Sequence, residues 1–140
     1  MGSHGGATAE GQRKVLGGYG VTEEYCGAPI RSSMDVVQLP AEGLDIPVYF
    51  DKYASEADSV IVVNRVKPHT SFHGPYKSGL LKMISIGLGK HAQALAVHDL
   101  MPRVAHAVLA TGKILMGMAI VENAYDRTML VRAIPAALME

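Results

Sequence analysis

The sequence predicts an α/β fold: a mostly parallel layered sheet with flanking helices, left incomplete by what the chain contains. Three observations predict it. Residues 60–63, Val-Ile-Val-Val, form an unbroken β-branched run without polar alternation, the pattern of a strand covered on both faces, as in a parallel sheet. After it, helix-like and strand-like stretches alternate. Hydrophobic residues make up 49% of the 140, enough for a buried core and against disorder.

The elements follow in order. Residues 1–8 are a glycine-rich turn, and Thr8 caps a helix over 9–20, ended by Gly17, Gly18 and Gly20. Thr22 before Glu23 and Glu24 starts a single helical turn ahead of Pro29. Two short β-prone runs, 36–39 and 46–50, flank Pro40-Ala41-Glu42-Gly43 and suit a hairpin or two edge strands. The strand at 60–63 closes at Lys67-Pro68, and the polar, glycine-bearing stretch 70–79 is a loop at its end. Apolar character resumes over 80–86, with a turn at Gly87-Leu88-Gly89. Residues 91–97 and 102–110 are predicted helices, Pro102 suiting the first turn of the second. Strands are expected at 114–121 and 129–134. These elements alone leave apolar strand edges and faces uncovered, so the chain is expected to be a single-domain fragment that self-associates into a homo-oligomer.

Charge excludes some partners. Thirteen basic residues balance thirteen acidic ones, and no block of five like charges occurs, so neither nucleic acid nor an anionic membrane has electrostatic support. No apolar run reaches the ~18 residues of a membrane span, and the N-terminus lacks a signal-peptide pattern. The single cysteine, Cys26, makes no internal disulfide, which places the chain in the cytoplasm.

Chemistry concentrates in a few places. His4 lies between glycines that free the backbone for φ > 0, presenting an imidazole to a ligand as a proton acceptor; alternatively, Met-Gly-Ser-His is a leader added for expression. The stretch 67–82 carries two histidines, His69 and His73, and the lysines Lys67, Lys77 and Lys82, which favour an anionic small molecule or a phosphate; the bland reading is a solvated loop. It follows a strand, and in open α/β sheets ligands bind beyond the carboxyl ends of strands. Lys82 stands between Leu80-Leu81 and Met83-Ile84; a lysine so placed is partly desolvated, which suits its amine to nucleophilic work, unless it snorkels. His91 and His106 read as surface or packing residues, the latter inside an apolar helix.

Together Met1-Gly-Ser-His4-Gly-Gly, the loop from Val-Lys-Pro-His69 to Ser78-Gly79-Leu-Leu-Lys82, the segment reaching His98 and, less distinctively, residues 119–126 resemble the nickel-dependent lactate racemase family. The resemblance covers the whole chain, as the central part of that family's N-terminal domain. It implies a racemase or epimerase of 2-hydroxy acids with a nickel-pincer nucleotide, a pyridinium thioamide/thiocarboxylate mononucleotide that grips nickel through sulfur and carbon. The Ser78-Gly79-x-x-Lys82 ending matches the family's lysine motif, so Lys82 would carry the thioamide link. His98 would be the axial nickel ligand, His4 one acid/base histidine, and His69 or His73 the other. A hydride acceptor is needed because the substrate's carbon is too weakly acidic for histidine; two bases serve the two enantiomers, and Lys67 and Lys77 would hold the carboxylate. The family's preceding phosphate-binding region and its second domain are absent from the sequence, so the chain is expected to be a fragment of a larger two-domain enzyme. Two rivals stand beside this reading: a non-catalytic α/β module, and a zinc-dependent hydrolase built on His69, His73 and His98.

Overall fold

A computed structural model describes residues 4–67, 78–96 and 100–139. Their fold is mixed α/β with two small sheets. The expected sites His69, His73 and His98 lie outside the described residues, as does Lys77.

A short 3₁₀ turn, Gly5–Ala7, leads into helix α1 (Ala9–Gly18), whose Thr8 hydroxyl accepts from the Gly11 amide. Helix α2 (Glu23–Cys26) is the expected single turn, with Thr22 capping it. Strands β1 (Val36–Leu39) and β2 (Val48–Asp51) form an antiparallel pair, as the hairpin pattern predicts. Helix α3 (Lys52–Glu56) follows directly; no sequence expectation covered it.

Strands β3 (Val60–Val66), β4 (Ile114–Glu122) and β5 (Thr128–Pro135) form the second sheet, with β4 in the middle. The β3–β4 pair is parallel and the β4–β5 pair antiparallel, so the sheet is mixed rather than mostly parallel. The reason is length. Only residues 123–127 join β4 to β5, far short of a parallel crossover. Asn123 Oδ1 accepts from the Tyr125 and Arg127 amides at 2.9 and 3.1 Å, and Asp126 takes φ 59°, which closes the turn.

The β3-to-β4 crossover contains α4 (Leu80–Lys82), a π-helical turn Met83–Gly87, α5 (Leu88–Ala96) and α6 (Met101–Leu109). The expected turn at Gly87-Leu88-Gly89 is therefore helical, and the break falls instead at Lys90 (φ 57°, ψ −155°). The core lies between the crossover and the sheets: Val48 and Phe50 of β2, Val62 of β3, Leu80, Ile84, Val104, Ala105, Val108, then Ile114 and Ala119 of β4 and Met139. The β3 run is not covered on both faces as expected. Val62 is buried, whereas Ile61 and Val63 point away from the crossover and are exposed. Period 2 does govern this strand, but its outward residues are as apolar as its inward ones.

Three polar groups tie the hairpin to α5. The Lys90 ammonium meets Asp51 Oδ2 at 2.8 Å with both side chains buried, while Asp51 Oδ1 accepts from the Ala54 amide at 2.8 Å and so caps α3. Gln93, also buried, accepts from the Tyr49 amide at 2.7 Å and donates to the Pro47 carbonyl at 3.3 Å, taking the place of a further strand beside β2. Lys90 holds a φ/ψ region that costs a non-glycine residue about 1–3 kcal/mol, and the surrounding contacts keep it there. Removing one partner of such a pair strands a charge. Asp51→Ala should therefore lower unfolding free energy by about 3–5 kcal/mol, while the apolar double variant Asp51→Leu/Lys90→Met should recover most of that loss. Urea midpoints of the three proteins check both outcomes.

Candidate functional site

The site begins at the carboxyl end of β3. Ser78 Oγ accepts from the Lys67 amide at 3.0 Å, and the Asn64 side-chain amide donates to the Gly79 carbonyl at 2.8 Å. The same carbonyl accepts from the Met83 amide, so the first helical turn starts on the strand's own anchor. Gly79 adopts φ 101° and ψ −164°, a conformation open essentially to glycine alone. These contacts give Ser78 and Gly79 a structural part in the Ser-Gly-x-x-Lys motif.

Lys82 follows one turn later, half-buried, as its apolar neighbours predict. The turn carrying it rests on β3, β4 and α6. Leu80 is seated because β4 has Gly117 beneath it: a Cβ there would come within 2.5 Å of Leu80 Cδ1 and 3.0 Å of Met139 Cε. Beyond Lys82 the helix widens. The Leu88 amide donates to the Met83 carbonyl five residues back, and Ser85 Oγ donates to the Leu81 carbonyl at 2.8 Å. Single π-turns of this kind insert a residue into a helix and are frequent at functional sites.

Charged groups crowd the same strand ends. Arg65 faces both Glu122 oxygens at 3.4 Å, and Lys67 forms a hydrogen-bonded ion pair with Asp126. The Lys67 ammonium, through its hydrogen bond and its charge, holds the Asp126 carboxyl below the usual aspartate range, with Arg65 adding a smaller contribution in the same direction. Asn64, Arg65 and Glu122 were not singled out from the sequence. Their signal was modest: polar residues closing two apolar strands, in a chain where strand ends were already the expected ligand position.

His4 is exposed at the start of the Gly5–Ala7 turn, which lies against α1, and Gly5 and Gly6 do take positive φ (66° and 68°) as expected. Gly5 approaches Gly11 so closely that a Cβ would fall 2.3 Å from its carbonyl carbon. The described contacts join the Gly5–Ala7 turn to α1, and the Leu80–Lys82 turn to β3, β4 and α6. His91 and His106 are both exposed; His106 is thus a surface residue of α6 rather than part of its packed side, which Val104, Ala105 and Val108 form.

Among the described residues no group of three or more His, Cys, Asp or Glu could hold a metal by itself, and no helix is long and apolar enough to cross a membrane. No family model matches the chain, and neither a curated protein nor a solved structure matches it.

Two expectations follow from this geometry. Gly79→Ala should cost about 1–3 kcal/mol of stability through backbone strain, and Asn64→Ala about 1 kcal/mol through a lost hydrogen bond, both read from urea midpoints. Asp126 has a folded-state pKa depressed below its unfolded value. Its stabilising contribution is thus present above about pH 3.9 and lost as pH falls through the lower folded value. Asp126→Asn should flatten the acid limb of the stability–pH curve, and added salt should shrink the difference between the two proteins, because the pair is exposed.

Proposed function

We propose that this chain is a racemase or epimerase of 2-hydroxy acids, working with a lysine-tethered nickel-pincer nucleotide. The observation that carries the reading is Lys82: a half-buried lysine on a helical turn, reached from the end of β3 through Ser78 and Gly79. That is where a parallel strand pair delivers ligands, and the sequence Ser78-Gly79-x-x-Lys82 matches the lysine motif of the family the chain resembles.

The described side chains are compatible with the group. The cofactor brings sulfur and carbon ligands of its own, so a protein cluster of three metal ligands is not required; one histidine suffices, and His98 is the residue proposed for it. When bound, the cofactor supplies reversible hydride acceptance from the substrate's C2. The chain's part is then attachment, through the Lys82 amine, and proton transfer at the substrate hydroxyl. His4 is proposed for one enantiomer and His69 or His73 for the other, each imidazole taking the hydroxyl proton and returning it. Lys67 and Lys77 are proposed to hold the carboxylate; Lys67 already binds one, that of Asp126.

Coproduction with the enzymes that assemble the cofactor tests the reading. Intact mass should show the wild-type chain carrying the nucleotide adduct with about one nickel, and Lys82→Arg carrying neither. A wild-type chain that stays unmodified while a lactate racemase made alongside it is loaded refutes the tether. In that case bound zinc would point to the hydrolase, and no metal at all to a non-catalytic module.

A further inference from the structure

Two cations stand at the carboxyl end of β3, and each already holds a carboxylate. Arg65 faces Glu122, and Lys67 pairs with Asp126. The pairs differ in burial. The Glu122 side chain is 8% exposed, so it has little water to turn into, and Arg65 stays committed. The Asp126 side chain is 63% exposed and that of Lys67 39%, so each exchanges its partner for water at small cost. Of the two cations, Lys67 is therefore the one that a carboxylate from solution can win.

The backbone on both sides of the pair is fixed. Lys67 donates its amide to Ser78 Oγ at 3.0 Å, four positions before Lys82. Opposite, the Asp126 amide donates to the Asn123 carbonyl at 3.1 Å and the Asn123 amide to the Arg127 carbonyl at 3.0 Å, so the β4–β5 turn is closed on itself. Asp126 sits in that turn at φ 59°, a region aspartate tolerates better than most residues. Releasing Lys67 thus takes the rotation of one exposed side chain, with no movement of strand or turn. An ammonium is a point charge without the fixed fork of a guanidinium, so a free carboxylate substitutes readily for a tethered one.

We propose that Asp126 is a built-in competitor for Lys67, a tethered carboxylate that the carboxylate of a 2-hydroxy acid displaces when it binds at the strand end. The proposal rests on the part given to Lys67 above and adds the group that opposes it. Exposed pairs of this kind favour the closed form only slightly, leaving Lys67 open between about one-sixth and one-half of the time. Ligand affinity falls in the same proportion, so the competitor raises the dissociation constant about two- to sixfold. Selectivity follows from the same exchange. A neutral analogue such as lactamide offers Lys67 no carboxylate and leaves Asp126 in place.

Sodium lactate, replacing chloride at constant ionic strength and added to the full chain without cofactor, tests this by NMR. Saturable shifts should centre on the Lys67 amide, and the Asp126 carboxyl carbon should move towards the position it has in Lys67→Gln. Asp126→Asn should bind lactate about two- to sixfold more tightly than wild type. Lys67→Gln should show no saturable binding, and lactamide should move neither reporter. The competitor is overturned by a wild-type chain that binds lactate with the Asp126 carbon unmoved, by equal affinity in Asp126→Asn, or by no saturable binding in either protein. Should Asp126→Asn not fold, the carboxyl carbon of the wild type decides alone. Failure here is distinct from failure of the tether. A chain that takes up the nucleotide adduct while lactate leaves Asp126 in place loses only the competitor; lactate exchange in a chain that takes up no adduct loses only the tether.

Discussion

The ion pair between Asp51 and Lys90 is the contact on which the rest of the arrangement turns. It joins the end of the β1–β2 hairpin to the helical crossover, with both side chains buried. Desolvating two charges is costly, and the cost is offset only where geometry is good and the remaining lone pairs are used. Here they are used: the second Asp51 oxygen caps α3. The pair also explains why Lys90 tolerates a backbone conformation that disfavours side chains, since its ammonium has one buried destination. Three residues on, Gln93 bonds to the adjoining strand, so a charge and an amide together fix hairpin and helix in one relation.

The candidate site depends on a second anchoring scheme, at the other end of the same helical run. Ser78 and Gly79 are stitched to the end of β3, and Leu80 drops onto Gly117 of β4, which together set where the turn bearing Lys82 begins. The π-turn that follows changes the side-chain stagger between Lys82 and the rest of the helix. What the fold provides at Lys82 is a fixed starting point for the turn that carries it.

Much of this was legible in the sequence wherever local chemistry decides. Thr8 and Thr22 announced their helices because a hydroxyl before an acidic turn satisfies free amides. The hairpin and the strands β3, β4 and β5 followed from β-branched runs and turn residues. The mixed character of the sheet was available too, since seven residues between two apolar runs cannot hold a crossover helix. Other features depend on tertiary packing and carry no local mark. Gly87 and Gly89 read as turn residues, yet serve close approaches inside a helix: a Cβ on Gly89 would fall 2.2 Å from Gln93 Cβ and 3.1 Å from the Tyr49 carbonyl. The ion partner of Lys90 lies thirty-nine positions earlier, a separation that no periodicity reports. Of the candidate site, the lysine and its Ser-Gly lead stood out, whereas Glu122 owes its role to two strands that meet only in three dimensions, and Asn64 to the chain's return at Gly79.

Gln93 has one more effect. A strand's outer rim is a template that recruits foreign backbone, and proteins that leave it bare risk polymerising. By occupying the Tyr49 amide and the Pro47 carbonyl, this one amide side chain blunts the rim of β2 from within. Growth of that small sheet by annexing another polypeptide is thereby confined to the β1 side, at no expense in surface charge.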